Sequence, residues 1–480
     1  MKKLILTVII AFTTSLAAAQ NWAAVGEVSN GVYTLYTDTV DNVLYIGGSF
    51  TYFNGDTVFG IVKYDGSNFY RMGCGLEWDC SFIPGGGNIV VKPNSIVRYN
   101  NEIYIAGNFT KSNNVTLNGL ARWDGSDWQP CGTGLKNEYG GNSGGSSLKV
   151  LNNELYVCGI GLDSCAGVPA NGIAKYNGVS WSAVHNIPRF KPNQSNYITD
   201  VEVYNGDIYV CGNFYDSIGG DIWRIARWNG SQWVGVDGGM KGGIGGVNKM
   251  VVYKGLLYAA GIFGSAGSNP HAKGIATWDG TKWENVGGGI YYPWPMSMQI
   301  FDMKVYKDKL YIVGWFSQAG GIPTKQLAVW DGVNWCSFDT TNTSFDNVIL
   351  ALDFYQDTLY IGGGFWSVDG DTNITYIAKY IGAGPDTCGN TTGINENKVQ
   401  TEGLRVYPNP ASNSITIEWS EELQVQSLAV FDYLGREVLK EQVSNNSGST
   451  QLDVSALPQG MYFLHLQTEK DSQTAKFIKQ

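Results

Sequence analysis

The hydrophobic positions of this 480-residue chain recur in blocks. A Leu-Tyr or Ile-Tyr pair begins a short apolar stretch that contains glycine, as in LYIGGSF and IYIAGNF, and the pair returns about every 52 residues. The seven copies begin at Leu44, Ile103, Leu155, Ile208, Leu257, Leu310 and Leu359. A fixed period of this length predicts a repeat architecture in which each copy is one supersecondary unit.

Each copy contains four predicted β-strands. Strand A is an apolar run that ends in a hairpin dipeptide such as Asn205-Gly206, and strand B begins with the Leu-Tyr pair. Strand C, for example IAKY, is followed by a short turn sequence, typically Asp-Gly or Asn-Gly, which favours a tight turn. Strand D begins with an aromatic residue in six copies, namely Phe69, Trp128, Trp181, Trp233, Trp283 and Trp335.

The seventh copy has no aromatic residue after its turn, Tyr380-Ile381-Gly382, whereas an unassigned strand-D pattern, NWAAVG, stands at residues 21–26. One four-stranded sheet of this size cannot bury both of its faces, but seven sheets arranged radially bury them against one another. We therefore predict an all-β chain with a seven-bladed β-propeller over residues 20–384. Trp22 is predicted to supply strand D of the last blade.

The phrase LYxGG…KYDG…W resembles kelch repeats and the galactose-oxidase-like propellers, and it is closer still to the repeats of Rax2-like cell-surface proteins. The resemblance covers residues 21 to about 384 and implies the fold. It does not extend to a copper site, because His185 and His271 are isolated from other ligand types. We expect no metal and no cofactor. The Asp-Gly pairs predict hairpin turns, since sialidase-type Asp boxes have a different spacing.

The two ends of the chain indicate most clearly where the protein is delivered. Residues 1–19, MKKLILTVIIAFTTSLAAA, have the basic start, apolar run and small-residue end of a secretory signal peptide. After a polar linker at 385–402, residues 403–480 alternate apolar and polar positions between turns, which predicts a small Ig-like β-sandwich. No later stretch is long and apolar enough to be predicted as a transmembrane segment.

The motifs of this tail, YPNP, YLGR, LPQGMY and a closing KF, resemble the type A C-terminal sorting domain of the type IX secretion system. The resemblance implies that the type IX machinery is a partner. It also implies export across the outer membrane to an extracellular or surface-anchored location.

Cysteine usage fits an exported protein, since disulfides form outside the cytoplasm. Spacing within one loop favours the local pairs Cys74–Cys80 and Cys158–Cys165. Placement of strands in neighbouring blades favours Cys336–Cys388 as a clasp for the last propeller strand. The pairings of Cys131 and Cys211 stay open.

Charge limits the function classes. Only 15% of the residues are charged, the net charge is −10, and no Lys/Arg-rich run is present, so a nucleic-acid partner is not expected. Carboxylates near the propeller axis, such as Asp200 and Glu202, suggest a polysaccharide-active hydrolase as an alternative. Lysines such as Lys149 and Lys304 alternate with them, however, which favours structural ion pairs.

Long connections predicted on one face of the propeller carry many aromatic residues, and variable loops on a rigid scaffold are common binding sites. The leading hypothesis is a secreted or surface-displayed binding protein for a glycan or a surface protein. A purely structural surface component is a further alternative. The candidate ligand-binding residues are Trp78, Tyr139, Trp223, Tyr292, Trp294 and Trp366.

Overall fold

The computed structural model describes residues 21–77, 91–190, 196–215, 222–243, 245–291, 299–337, 344–382, 404–419, 425–432, 436–443, 448–468 and 472–480. Within these ranges the chain consists of β-strands, turns and loops and contains no helix. It falls into two compact units, Met1–Asn390 and Thr391–Gln480. The prediction of an all-β protein is confirmed.

The described part of the first unit contains seven four-stranded antiparallel sheets, each with its strands in the order A, B, C and D. The first three sheets comprise Val32–Asp38, Val43–Gly48, Ile61–Tyr64 and Phe69–Arg71; Lys92–Tyr99, Glu102–Asn108, Leu120–Trp123 and Trp128–Pro130; and Gly144–Leu151, Glu154–Ile160, Ile173–Tyr176 and Trp181–Ala183.

The fourth to sixth sheets comprise Ile198–Tyr204, Asp207–Tyr215, Trp223–Trp228 and Trp233–Gly235; Val247–Tyr253, Leu256–Gly261, Ile275–Trp278 and Trp283–Asn285; and Gln299–Tyr306, Lys309–Trp315, Leu327–Trp330 and Trp335–Ser337. The seventh comprises Ile349–Tyr355, Thr358–Gly363, Ile377–Tyr380 and Trp22–Ala24.

The seventh sheet takes its strand D from the N-terminal end of the described chain. Trp22 pairs with Tyr380 and Ala24 pairs with Ala378, and the amide of Ile381 donates a 2.8 Å hydrogen bond to the carbonyl of Asn21. The Trp22 side chain is 1% exposed. The prediction that Trp22 completes the last repeat is confirmed.

Contacts between sheets follow the order of the repeats. Strand A of each sheet lies beside strand A of the next, and strand A of the seventh sheet contacts that of the first. Seven buried clusters each join two neighbouring sheets, including one that joins the seventh sheet to the first. Each sheet therefore buries both faces against its neighbours, which a single sheet cannot do.

The aromatic residues of strands C and D pack against each other in every sheet. Trp123 and Trp128 have ring centroids 5.2 Å apart, and Trp22 and Tyr380 have the same separation. The indole N–H of Trp335 also donates to the carbonyl of Val286 at 2.9 Å, which links the sixth sheet to the fifth. These rings explain why strand D begins with an aromatic residue.

The C–D turns confirm that the repeated acidic residues build hairpins. One carboxylate oxygen of Asp124 accepts hydrogen bonds from the amides of Ser126 and Asp127, each at 2.9 Å. Asn177 and Asn229 accept equivalent bonds in the third and fourth sheets. Backbone amides that bond the ionised carboxylate lower the pKa of Asp124 and of Asp279 to about 2, although for Asp279 the largest cause is the hydroxyl of Thr281.

Short strands in the connections form further ribbons. They are Tyr52–Phe53 with Asp56–Thr57, Lys111–Ser112 with Val115–Thr116, Leu135–Asn137 with Leu162–Cys165 and Val168–Pro169, Met240–Lys241 with Ser265–Ala266, and Ile290–Tyr291 with Gln318–Ala319 and Ile322–Pro323.

The second unit has two antiparallel sheets around one core. The three-stranded sheet has the order Arg405–Tyr407, Ser414–Glu418 and Ser449–Asp453, and the four-stranded sheet has the order Glu437–Gln442, Val425–Asp432, Gly460–Thr468 and Ser472–Lys479. Their shared core includes Trp419, Leu428, Leu464 and Phe477, all buried. Alternating apolar positions along these strands supply that core.

Candidate functional site

The order of strands separates two kinds of connection. In a sequential antiparallel sheet, the A–B and C–D hairpins lie at one end, and the B–C connections and the links to the next sheet lie at the other. We call the second end the long-loop end. The described candidate ligand-binding residues, Tyr139, Trp223 and Trp366, belong to it.

Residues from the A strands of all seven sheets line a cavity of about 640 Å³, which we call the inner channel. Each A strand is interrupted by a register shift at one residue, which is a β-bulge. The seven bulge residues all line the inner channel and are Tyr33, Asn94, Ser146, Thr199, Asn248, Phe301 and Leu350.

Four consecutive bulge residues bond the next sheet. The side chains of Asn94, Ser146, Thr199 and Asn248 donate to backbone carbonyls directly before the following bulge, at 2.7, 2.8, 2.5 and 2.8 Å. The other three, Phe301, Leu350 and Tyr33, are apolar or aromatic and follow one another around the remaining sheets. The bulge residues therefore have a polar half, already hydrogen-bonded, and an apolar half.

Two carboxylates that line the inner channel each contact both neighbouring sheets. Asp353 accepts hydrogen bonds from Lys304 of the previous sheet at 2.8 Å and from the amide of Thr37 in the first sheet at 2.8 Å. Asp302 likewise lies 3.5 Å from Lys249 and accepts from the amide of Leu352. These contacts satisfy amides on the unpaired edges of the A strands, so they have a structural role.

The candidate catalytic residues Asp200 and Glu202 lie together and share one lysine. Lys149 Nζ is 2.9 Å from Asp200 and 3.0 Å from Glu202. Asp200 is 0% exposed and also accepts bonds from Ser147 Oγ at 2.9 Å and the amide of Met250 at 2.8 Å. Burial acts to lower the pKa of Lys149, but the two carboxylates outweigh it and raise that pKa. The expected pairing of Lys149 with carboxylates is confirmed.

Tyr139 is the most exposed of the described candidate residues, at 88%. Its loop is held by Asn137, whose side-chain oxygen accepts hydrogen bonds from the amides of Tyr139 and Gly141, both at 3.0 Å. Arg189 bonds both Glu138 and Asp163 and so joins this loop to its neighbour. A hydrogen bond from the phenol to Glu138 raises the pKa of Tyr139. The aromatic ring is thus presented to solvent from a fixed backbone.

Two further side chains with apolar surface are exposed on segments linked to the connection that carries Tyr139. Ser143 Oγ, in the connection that carries Tyr139, donates a 3.0 Å hydrogen bond to the carbonyl of Ile160, and Ile160 pairs with Tyr197 in an isolated β-bridge. Ile160 is 53% exposed and Tyr197 is 36% exposed. We call Tyr139, Ile160 and Tyr197 the tyrosine patch.

The other described candidates lie on different sheets. Trp223 stacks on Tyr215 with ring centroids 5.2 Å apart and an interplanar angle of 14°. Trp366 is 60% exposed, and its amide is fixed by Asp346 at 2.8 Å. The remaining candidates, Trp78, Tyr292 and Trp294, lie outside the described residues.

One predicted disulfide is wrong. Cys158 and Cys165 are both free and buried. Cys158 packs between the third and fourth sheets, whereas Cys165 packs between the second and third, so the third sheet separates them. Cys131 and Cys211 are also free, while Cys74 and Cys336 are not among the free thiols. Cys80 and Cys388 lie outside the described residues, and their pairings stay predictions.

Acidic residues at 369–373 resemble the start of a calcium loop in sequence. Asp369 accepts a hydrogen bond from the amide of Ser344 at 2.6 Å, and Asp371 accepts from the amide of Asn373 at 2.9 Å. Within the described ranges no group of three or more acidic, histidine or cysteine side chains is arranged to hold a metal ion.

Comparison with known proteins identifies the tail. Residues 405–480 match the family of secretion system C-terminal sorting domains. The tail is a type IX sorting domain. The protein is therefore exported across the outer membrane to the cell surface or the extracellular space, and it interacts with the type IX secretion machinery. No helix in the described part of the chain is long and apolar enough to cross a membrane.

No curated protein matches the chain. Two structures of an extracellular domain, ascribed to a one-component or hybrid two-component system of B. thetaiotaomicron, share 14% identity. They match 94% of this chain with a TM-score of 0.43, and this chain spans only 57% of their length. GH43B of the Bacteroides ovatus xyloglucan PUL shares 11% identity over 82% of this chain and 91% of its own, with a TM-score of 0.24. TM-scores of this size carry no argument about fold or function.

Proposed function

We propose that this protein is a secreted or cell-surface binding protein whose seven sheets are the blades of a β-propeller. Its ligand is an extracellular glycan, bound at the long-loop end. In this proposal residues 1–19 are a signal peptide, residues 20–384 form the propeller and residues 385–402 form a linker. The sorting domain at the C-terminus delivers the propeller to its place of action.

Four features support the propeller. Strand A of the seventh sheet contacts strand A of the first, a buried cluster joins the same two sheets, and Asp353 bonds the amide of Thr37 across the same boundary. The N-terminal strand completes the seventh sheet, so the two ends of the repeat region are joined by backbone hydrogen bonds.

The observation that carries the binding proposal is the tyrosine patch. An aromatic ring that is 88% exposed on an internally hydrogen-bonded loop gains little for the fold, because its apolar face stays in water. Rigid, exposed aromatic rings bury a large area at low entropic cost when a ligand covers them. Sugar rings present apolar faces that suit such a surface, and Glu138 and Arg189 beside the patch offer partners for hydroxyl groups.

The hydrolase alternative relies on Asp200 and Glu202. A general acid must reach the bond it cleaves, and a carboxylate that already accepts from Ser147, Lys149 and the amide of Met250 has little capacity left for a substrate. These contacts favour binding over catalysis.

The experiment is to incubate the exported protein with a panel of soluble and insoluble polysaccharides and to measure retention and released sugars in the same samples. The proposal predicts retention on at least one polysaccharide without release of sugars. Release that is lost in Asp200→Asn and Glu202→Gln variants would support the hydrolase, and no retention on any polysaccharide would favour a structural role.

A further inference from the structure

Two free cysteines meet at the boundary between the second and third sheets. Cys131 follows strand D of the second sheet, and Cys165 ends a short strand in the B–C connection of the third. They are 6% and 0% exposed and belong to one buried cluster. A buried pair of thiols in an exported protein raises the question of whether they are joined.

The backbones that carry the two cysteines touch. A Cβ atom placed on Gly132 would lie 3.0 Å from the Cα atom of Ala166, the residue after Cys165. Cys165 pairs with Leu135 in the short ribbon, and the amide of Ala166 donates to the carbonyl of Gly134 at 2.8 Å. Both cysteines are therefore held beside the same few residues.

At two other boundaries the residues equivalent to Cys131 and Cys165 also belong to one buried cluster. Val236 and Val286 stand three residues after the strand-D aromatic, as Cys131 does, and they pack in the same clusters as Ala266 and Ala319 respectively. Ala266 pairs with Met240 and Ala319 with Ile290, as Cys165 pairs with Leu135. The 2.8 Å backbone hydrogen bond also recurs, from Gly267 to Gly239 and from Gly320 to Gly289.

We propose that Cys131 and Cys165 form a disulfide in the exported protein and so staple the second sheet to the third. Where two other boundaries of the same register pack a valine and an alanine into one cluster, this boundary packs two cysteines. A change at one position alone would leave an ordinary buried thiol, whereas the joint change supplies both halves of a cross-link. The bond replaces the Cys158–Cys165 pair that the sequence suggested.

Formation of the bond removes one hydrogen atom from each thiol. The two electrons and two protons pass to the disulfide of a periplasmic thiol–disulfide oxidoreductase, which leaves as a dithiol, through a mixed disulfide with one of the cysteines. That intermediate needs an accessible thiolate. Burial raises the pKa of Cys131 to about 12 and raises that of Cys165 well above its ordinary value. The exchange therefore precedes the packing of the two sheets.

The test uses the full-length exported protein, denatured and alkylated without reduction and then digested. We expect a peptide in which Cys131 is linked to Cys165, and we expect Cys158 and Cys211 to be alkylated. Alkylation of Cys131 and Cys165 in the mature protein, or a link from either one to another cysteine, would overturn the proposal.

The matched control is the double variant Cys131→Val and Cys165→Ala, which reproduces the pair found at Val236 and Ala266. Because this pair already packs at an equivalent boundary, the variant is expected to fold. Reduction should then lower the melting temperature of the wild type by several degrees more than that of the variant. Equal losses on reduction would contradict a staple at this boundary.

Discussion

Replacement of Trp22 by alanine tests whether the N-terminal strand closes the repeat region. Trp22 is 1% exposed and makes edge contacts with Phe345 and Tyr380, with ring centroids 5.5 and 5.2 Å apart. Strand Trp22–Ala24 is only three residues long and is the edge of its sheet. The indole is therefore the main anchor of that strand.

The expected loss follows from the buried area. An aromatic side chain removes about 150–250 Å² from water, and at about 25 cal/mol per Å² this corresponds to about 4–6 kcal/mol. Truncation of buried aromatic residues to alanine costs about 3–5 kcal/mol, because the surroundings relax in part. We expect a loss of about 4 kcal/mol in the free energy that holds the strand in place.

Hydrogen exchange measures this loss at one amide. Ile381 donates its amide proton to Asn21, so its protection reports whether the N-terminal strand is attached. A loss of about 4 kcal/mol corresponds to about a thousandfold faster exchange, since each 1.4 kcal/mol is a factor of ten. In a Trp22→Ala variant the peptide that contains Ile381 should exchange faster by this order.

Two controls separate strand detachment from general destabilisation. Trp335→Ala removes the equivalent ring of the sixth sheet, which is 4% exposed, and should lower stability while the Ile381 amide stays protected. Ala24→Ser changes an exposed residue of the same strand and should alter stability by no more than about 0.5 kcal/mol. Unchanged protection of Ile381 in the Trp22→Ala variant would refute the closure.

Four further predictions follow, two from the structure and two from the sequence. The pKa values of Asp124 and Asp279 in the folded protein are about 2, which is below the ordinary value in an unfolded chain. The stability that these two carboxylates contribute is therefore present above about pH 4 and is lost as the pH falls through about 2. Asp124→Asn with Asp279→Asn, which copies Asn177 and Asn229, should therefore flatten the acid limb of a thermal-melt profile, and a limb as steep as the wild type's would argue against these turns as its source. Lys149→Met leaves the buried Asp200 carboxylate without its cationic partner and should lower the free energy of unfolding, measured by chemical denaturation, by about 3–5 kcal/mol. An added Asp200→Asn change should restore part of this loss. A loss that the second change does not reduce would show that the unpaired charge is not the cause. Removal of residues 403–480 should leave a folded protein in the periplasm, and its appearance in the culture medium would show that the tail is not the export signal. Non-reducing peptide mapping should find a peptide in which Cys336 is linked to Cys388. Alkylation of Cys388 without reduction would exclude that disulfide.

Much of the fold could be predicted from the sequence, because each repeat contains complete local information. Paired apolar stretches, hairpin dipeptides and an aromatic start to strand D define four strands without reference to the other repeats. The absence of one aromatic residue at the end and the surplus of one at the start then identify Trp22 as the missing strand D. Alternation of lysines with acids likewise predicted the ion pairs of Lys149 and Lys304.

The inner channel shows what the sequence did not reveal. Strict alternation does not predict a bulge, so Asn94, Ser146, Thr199 and Asn248 were not recognised, although each stands nine residues before its Leu-Tyr or Ile-Tyr pair. The first sheet has a longer A–B turn, and its bulge residue Tyr33 falls outside that spacing. A small polar residue at one position in four successive repeats was the available signal.

The cysteines show a second limit, which is that closeness in sequence does not place two side chains on one face of a sheet. Cys158 and Cys165 are separated by the end of a strand and point into different clusters. Cys131 and Cys165 are far apart in the chain, but adjacent sheets bring them together. Only the packing of neighbouring sheets contains that information.

The central claim is that the long-loop end binds a ligand through the tyrosine patch. The most direct measurement is the affinity of Tyr139→Ala for the polysaccharide that retains the wild type, compared with that of Val179→Ala, a change at an 87% exposed residue in a C–D turn at the opposite end of the third sheet. We predict that Tyr139→Ala weakens binding by at least about fivefold, as expected for a stacking residue worth more than about 1 kcal/mol, while Val179→Ala binds as the wild type does. Equal affinity of Tyr139→Ala and the wild type would contradict the account.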